Sequence, residues 1–107
     1  MDGTFISKDA DTAEHFTAGD LCSLAEIFHP GNERLPFCGF SLSHAVVLPK
    51  GRTVPHRLVK SSEVYWIIAG RGILFIDEQY VVNECDHKLE FLCIVSPPWE
   101  SSDEETI

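Results

Sequence analysis

The sequence contains no long apolar run, and its N-terminus lacks the features of a secretory signal. A membrane-spanning helix needs roughly 18–20 apolar residues in succession, and no stretch approaches that length, so we predict no membrane partner. Residues 1–15 hold neither the basic region nor the apolar region that secretory signals carry. A cytoplasmic protein is therefore the expectation.

Positive charge is also scarce. The chain has 8 Lys and Arg against 17 Asp and Glu, which gives a formal net charge of −9. The basic residues are scattered, whereas the phosphates of nucleic acid need clustered Lys and Arg, so nucleic acid is excluded as a partner. Part of the acidity lies in residues 100–107, which we interpret as a solvated tail.

No Cys-x-x-Cys pair occurs among the four cysteines, Cys22, Cys38, Cys85 and Cys93, so the spacing of a zinc finger is absent. Cys22 and Cys93 lie within apolar runs, where a free thiol behaves as a small hydrophobic group. Reduced structural thiols are the favoured interpretation. A Cys38–Cys85 disulfide or a thiol ligand is the alternative.

What the sequence does contain is a series of short, β-rich runs separated by turn residues. At 107 residues, 44% of them hydrophobic, the chain suits one domain with a modest core. Many short strands without a sustained helix indicate an all-β sandwich or barrel. We divide the chain into an N-terminal arm (1–19), a β-barrel domain (20–99) and the acidic tail (100–107).

The strands are predicted where the apolar runs occur. The first run also fits a short helix, but Pro30 follows it at once, which favours a strand. Gly70-Arg71-Gly72 is predicted to reverse one strand into the next as a hairpin. The predicted strands cover 21–28, 37–49, 54–58, 63–69, 73–76, 79–83 and 89–95.

Alternation within the second run places Phe40, Leu42, His44 and Val46 on one apolar face. The junction Ile76-Asp77-Glu78-Gln79 joins two predicted strands directly. Asp and Glu do not readily adopt the positive φ that a two-residue hairpin needs. A deletion, a loop missing from the sequence, or one longer strand over 72–83 would each account for this junction.

Residues 50–70 resemble the first motif of the cupins, a family of small jelly-roll β-barrels. That motif runs G-x5-H-x-H-x3-4-E-x6-G. Lys50 stands at its opening glycine, His56 at its first histidine, Glu63 at its glutamate and Gly70 at its closing glycine. The second histidine is replaced, because Leu58 stands at that position.

The second cupin motif survives only at its end, where residues 79–83 fit H-x3-N with Gln79 in place of histidine. The flanking stretches SLSHAVVLPKG and LEFLCIVSPPW are also similar to those of small prokaryotic cupins. The resemblance covers roughly residues 20–99, and it implies a jelly-roll barrel, the double-stranded β-helix, whose segment between the two motifs is shortened.

The resemblance also implies a metal site inside the barrel. It would use His56 Nε2, a Glu63 carboxylate oxygen and the Gln79 amide oxygen, with His44 as a fourth candidate. Such a mixed nitrogen and oxygen set suits Mn²⁺, Fe²⁺, Ni²⁺ or Zn²⁺. If the chain is an enzyme, the metal would act on a small polar molecule, an anion included.

The competing hypothesis is a metal-free module that binds a small molecule or dimerises without catalysis. In that case His56 and Glu63 form a hydrogen-bonded pair near the barrel mouth, and Gln79 is an exposed strand residue. A homodimer is implied by the resemblance, and a shortened barrel would leave open edges that pair between chains. Whether any reaction occurs is left open by these residues.

Overall fold

The computed structural model describes residues 7–9, 13–18, 22–32, 38–77 and 79–106, and in this part of the chain there are nine strands and no α-helix. No helix in these ranges could cross a membrane. The prediction of an all-β fold is confirmed. The strands are β1 (Phe16–Ala18), β2 (Cys22–Phe28), β3 (Ser41–Val47), β4 (His56–Leu58), β5 (Ser62–Ala69), β6 (Ile73–Phe75), β7 (Tyr80–Val82), β8 (Leu89–Ser96) and β9 (Glu104–Thr106).

Five strands form one antiparallel sheet in the order β1-β2-β3-β8-β5. Two smaller antiparallel sheets, β4-β9 and β6-β7, form the opposing layer. The core lies between the layers, where Val81 of β7 packs against the inner face of β3 and β8. The inner residues of that face are Ala45, Val47, Leu89, Phe91 and Cys93.

The alternation of β3 is as predicted, but its apolar face is not the core face. Leu42, His44 and Val46 lie on the outer side of the sheet, whereas Ala45 and Val47 are buried on the inner side. Packing decides which face is buried. Val81 of β7 packs against the face of β3 that carries Ala45 and Val47, so that face becomes the core.

The predicted hairpin at Gly70-Arg71-Gly72 is wrong. β5 pairs with β8, and β6 pairs with β7, so the chain crosses from one layer to the other at Gly70. Gly70 has φ = +82°, and a Cβ there would meet the backbone of Lys88 and Leu89. The motif glycine is therefore needed both for its conformation and for a close backbone approach.

The short junction is a hairpin loop. Phe75 pairs with Tyr80, so residues 76–79 connect β6 to β7, and one longer strand over 72–83 is excluded. Gln79 takes φ = +47°, which gives the loop the left-handed residue that the sequence seemed to lack. Lys50 likewise has φ = +64° at the position where the cupin motif has glycine.

The acidic tail has regular structure, although its residues 100–102, 104 and 105 are exposed, as predicted for a solvated segment. β9 pairs with β4. Just before it, the Asp103 carboxylate accepts hydrogen bonds from the Lys60 and Ser61 N–H groups at 2.7 and 3.0 Å. Burial alone would raise the pKa of Asp103, but these hydrogen bonds together bring it below its ordinary value. The tail is thereby attached to the β4–β5 loop.

Strand pairing also reaches into the predicted N-terminal arm, because β1 pairs with β2. The domain limits at residues 19 and 99 stay a prediction. Cys38, Cys85 and Cys93 are free thiols, so the alternative of a Cys38–Cys85 disulfide is wrong. The side chain of Cys22 lies outside the described part of the structure.

The barrel is open along β5. Among the described strands, β5 is an edge of the five-stranded sheet, and every residue of it except the half-buried Tyr65 is exposed. Eight large apolar residues between positions 64 and 76 are 42–74% exposed. They are Val64, Trp66, Ile67, Ile68, Ile73, Leu74, Phe75 and Ile76.

Candidate functional site

The interior of the open barrel contains a cavity of about 410 Å³ beside the first half of β5. Glu63 and Tyr65 project into it from β5, because alternate residues of a strand share one face. The wall combines hydroxyl, amide and carboxyl groups with aliphatic side chains. Its residues are Leu58, Ser61, Glu63, Tyr65, Leu74, Ile76 and Gln79.

Glu63 is the chemically distinctive residue of this cavity. Although much of the residue is exposed, its carboxyl group lies beside the core, where the Cys93 thiol donates a hydrogen bond to Oε2 at 3.5 Å. Burial raises the pKa of Glu63, and the nearby Glu104 carboxylate adds to the rise. The Cys93 hydrogen bond and the His56 imidazole act in the opposite direction without cancelling it.

His56 lies at the edge of the same region. Its Nδ1 donates a hydrogen bond to the Val54 carbonyl at 2.7 Å, which leaves Nε2 directed toward Glu104 Oε1 at 3.8 Å. The backbone N–H of His56 donates to the Gln79 carbonyl at 3.3 Å. The structure therefore brings together three of the predicted residues, His56, Glu63 and Gln79.

Glu104 is a member of this cluster that sequence reasoning missed. It lies opposite Leu58 in the β4-β9 pair, and its Oε1 also accepts a hydrogen bond from Trp99 Nε1 at 3.4 Å. No local signal marks it, because three acidic residues in succession at a chain end look like a solvated segment. Only the pairing of β9 with β4 brings its side chain near His56.

His44, the fourth predicted ligand, is not part of the cluster. It lies on the outer side of the sheet, where its Nδ1 shares a hydrogen bond of 2.8 Å with His15 Nε2. Its Nε2 is 3.4 Å from Glu90 Oε1. His15 is half-buried and also contacts the Ala13 carbonyl through Nδ1. These contacts attach the N-terminal segment to the sheet.

The donor set for a metal is sparse in this region. Within the described ranges, no group of three or more His, Cys, Asp or Glu side chains is arranged to hold a metal ion. Leu58, which replaces a motif histidine, presents an aliphatic wall to the cavity. The predicted divalent metal thus stays a prediction that depends on His56, Glu63 and the weak amide ligand of Gln79.

A second cavity of about 430 Å³ adjoins the first, since Tyr65 and Leu74 line both. Its wall is mostly apolar, and the Tyr65 and Phe91 rings lie with centroids 4.9 Å apart. Arg71 is its charged residue. The interior therefore has one lobe rich in hydrogen-bonding groups and one lobe with aromatic and aliphatic walls.

Comparison with known proteins identifies this architecture. No family profile matches the chain. An uncharacterized protein of Methanocaldococcus jannaschii is 25% identical over 120 positions, which cover 95% of this chain and 94% of the relative. Because that alignment is longer than this chain of 107 residues, the relative carries residues that this chain lacks.

Among solved structures, the nucleoside dehydratase Pac13 of Streptomyces superposes with a TM-score of 0.69 at 16% identity, over 97% of this chain and 92% of Pac13. The polyketide cyclase RemF of Streptomyces resistomycificus reaches 0.65 at 14%, over 94% and 89% of the two chains. A cupin-superfamily sugar phosphate isomerase of Silicibacter pomeroyi reaches 0.63 at 12%, over 85% and 75%.

At these identities the likeness establishes the fold alone. The chain is a small cupin-like β-barrel domain, which confirms both the predicted jelly-roll fold and the resemblance seen in residues 50–70.

Proposed function

We propose that this chain binds a small uncharged polar molecule in the cavity at Glu63, and that the Glu63 carboxyl group transfers a proton to or from it. The observation that carries the proposal is the raised pKa of a carboxyl group in a cavity wall. A carboxyl group whose pKa is raised keeps its proton to a higher pH than an ordinary glutamate, and it can exchange that proton with a bound molecule.

The groups around Glu63 support ligand binding. The Ser61 and Tyr65 hydroxyls and the Gln79 amide can hydrogen-bond a polar molecule, while Leu74 and Ile76 supply apolar contact. The neighbours in fold include a nucleoside dehydratase and a sugar phosphate isomerase. Both names denote reactions on small molecules, and general acid–base catalysis suits such reactions.

Charge decides which polar molecules fit. Among the described residues, no Lys or Arg lines the cavity at Glu63. The nearest cation on β4, Arg57, already donates to Glu105 at 2.7 Å. Because the nearby Glu104 carboxylate would repel an anion, and an ionised Glu63 would add to the repulsion, we narrow the predicted ligand to uncharged molecules. Streptomyces PAC13 variants were solved with uridine, an uncharged nucleoside, so nucleosides are the first ligands to test.

The test is titration calorimetry with uridine, adenosine and the corresponding monophosphates. We expect uncharged nucleosides to bind and monophosphates to bind about tenfold more weakly or worse. Glu63→Gln should change the affinity for uridine and adenosine, and that affinity should no longer depend on pH. Glu105→Gln, outside the cavity, should leave both unchanged. Absence of saturable binding by every nucleoside, or tighter binding of the monophosphates, contradicts the proposal.

A divalent metal at His56 and Glu63 is the second candidate, and one contact favours it. Metal-binding histidines usually donate their other N–H to a carbonyl or carboxylate, as His56 Nδ1 does to Val54. Elemental analysis of protein purified without chelator or affinity tag tests it. Stoichiometric Zn, Mn, Fe or Ni, lost in His56→Ala and kept in the control His87→Ala, supports the site. A folded, metal-free wild type rejects it.

We also retain the homodimer and the cytoplasmic location as part of the proposal. The exposed apolar residues of β5 and β6 support the dimer, because monomeric proteins rarely expose such a contiguous patch.

A further inference from the structure

We propose that the two adjoining lobes of the interior hold one ligand, and that Arg71 donates hydrogen bonds to a carbonyl oxygen on a flat ring in the second lobe. The inference rests on the proposed function, because the lobe at Glu63 holds the rest of the ligand. It names the ligand class more closely: nucleosides whose base carries a ring carbonyl group, in preference to those with an amino group at the same position.

The two lobes can be occupied by a single molecule because they share walls. Tyr65 of β5 and Leu74 of β6 line both of them. Their volumes, about 410 and 430 Å³, each lie at the lower end of the roughly 300–1,000 Å³ range of small-molecule sites. A ligand with two chemically different halves can therefore extend from one lobe into the other.

The second lobe suits a flat ring with few hydrogen-bonding groups. Its side chains are apolar apart from the Tyr65 hydroxyl and Arg71. The Phe91 ring is 3% exposed and lies 4.9 Å from the Tyr65 ring, so packing fixes the aromatic surface. Aromatic side chains contact flat unsaturated rings through stacked or edge-to-face arrangements. The base of a nucleoside fits this lobe, and its hydroxyl-bearing sugar fits the polar lobe at Glu63.

Arg71 is held at the wall of the second lobe by its neighbours. It lies between Gly70 and Gly72 in the crossing from β5 to β6. A Cβ at Gly72 would come 2.6 Å from Leu89 Cδ2, so glycine there lets the backbone lie close to the wall. The Arg71 Nε donates a hydrogen bond to Cys85 Sγ at 3.3 Å, which positions the guanidinium.

The other donors of Arg71 are available to a ligand. A guanidinium carries five N–H donors and no acceptor, and the Cys85 contact uses one of them. Within the described ranges, no carboxylate forms an ion pair with Arg71, whereas Arg57 is paired with Glu105 at 2.7 Å. An arginine at a cavity wall without a carboxylate partner can direct its charge and its donors at a bound molecule.

Because Arg71 offers only donors, it distinguishes two ring substituents of similar size. A carbonyl oxygen accepts hydrogen bonds from a guanidinium, as guanine O6 does when arginine recognises it. An amino group in the same place would direct its own N–H groups at those of the guanidinium. Inosine and adenosine differ chiefly in this substituent, as do uridine and cytidine, so each pair isolates the contribution of Arg71.

Titration calorimetry with these two pairs of nucleosides tests the inference. In wild type, inosine should bind about tenfold more tightly than adenosine, and uridine about tenfold more tightly than cytidine. Arg71→Met should bring both ratios close to one. Arg52→Met is the matched control, because Arg52 is exposed and lines neither lobe, and it should keep both ratios.

Glu63→Gln separates this inference from the proposed function. The variant should keep the preference for carbonyl-bearing bases even where its overall affinity changes, because the ring lies in the other lobe. Equal affinity within each pair for wild type, or a preference that survives Arg71→Met, overturns the inference and leaves binding at Glu63 intact. Absence of binding by all four nucleosides overturns both proposals.

Discussion

Two parts of the five-stranded sheet have similar composition but differ in exposure: β3 and β8 are buried, and β5 is exposed. In β3 and β8, residues such as Val47, Leu89 and Phe91 are 0–3% exposed. In β5, Trp66 and Ile68 are 65% and 54% exposed. Both halves are rich in Val, Ile, Leu and aromatic residues, so hydrophobicity does not distinguish them. The two halves differ in what covers them. β7 packs over β3 and β8, whereas no described strand pairs with the free edge of β5.

The difference teaches that the core and the proposed binding cavity lie in different halves of the sheet. The covered half holds the core, where removal of side chains leaves cavities. The open half holds the cavity at Glu63 and the edge strand. A carboxyl group such as Glu63 is placed where the layers do not close, and there burial is sufficient to raise its pKa while a ligand can still reach it.

The largest expected effect is in the covered half. Phe91→Ala should lower the free energy of unfolding by about 3–5 kcal/mol, because a fully packed ring is lost. Trp66→Ala should lower it by less than about 1 kcal/mol in dilute solution, where the ring faces solvent. Urea unfolding followed by circular dichroism measures both.

Phe91→Leu, with an expected loss below about 1.5 kcal/mol, keeps the comparison measurable if Phe91→Ala does not fold. Equal losses at Phe91 and Trp66 in dilute solution would remove the distinction between the halves.

The next effect concerns the crossing between the layers. Gly70→Ala should destabilise the protein by about 1–3 kcal/mol, because the residue has φ = +82° and its new Cβ would meet the backbone of Lys88. Gly39→Ala is the matched control, since nothing lies within 4 Å of a Cβ there, and its effect should stay within about 0.5 kcal/mol. Thermal unfolding of the two variants measures both losses, and equal losses would contradict the special role of Gly70.

A smaller effect is expected where the tail meets the β4–β5 loop. The pKa of Asp103 is below its ordinary value of 3.8 in the folded protein, so its stabilisation is present above that value. It is lost as the pH falls through the lower, folded pKa. Asp103→Asn should therefore be less stable than wild type at pH 7, and the difference should shrink with acid.

Urea midpoints at pH 7 and below pH 4 measure this dependence, with Asp77→Asn in the exposed β6–β7 loop as the control. A difference for Asp103→Asn that is independent of pH would show that the carboxylate does not hold the tail through its charge.

The smallest expected effect is at Glu63 in the cavity wall, where the substitution should stabilise the protein at pH 7 rather than destabilise it. The pKa of Glu63 is raised above its ordinary value of 4.5, so its ionised form is disfavoured by folding. Stability is then lost as the pH rises from 4.5 through the folded pKa. Glu63→Gln removes this loss and should unfold at a slightly higher temperature than wild type at pH 7, but not at pH 4.

Scanning calorimetry at the two pH values measures the difference, and Glu105→Gln serves as the control. A lower unfolding temperature for Glu63→Gln at pH 7 would contradict the raised pKa. It would instead favour a stabilising ion pair between Glu63 and His56.

Much of the fold was predictable because its signals are local. The strands over residues 41–47 and 89–96 follow from β-branched and apolar side chains. The motif glycine at Gly70 marks a position that needs positive φ, and the structure has it. His56 and Glu63 were singled out through the resemblance to the cupin first motif, and both lie at or beside the cavity.

The rest of the site was not predictable from local pattern. Glu104 reaches His56 because β9 pairs with β4, and His15 meets His44 across 29 positions of the chain. The partner of β5 was predicted wrongly for the same reason. A turn pattern such as Gly70-Arg71-Gly72 predicts that the chain bends, but it does not predict which strands pair after the bend.

By itself, the sequence determined that this protein is a small all-β domain, because propensity and alternation act within a few residues. The jelly-roll barrel was implied by the resemblance of residues 50–70 to the cupin first motif. Only the tertiary structure decided which face of β3 is the core, that the acidic tail is a strand, and that β5 is left open. These depend on how the two layers cover each other, and burial is a property of that packing rather than of any single residue.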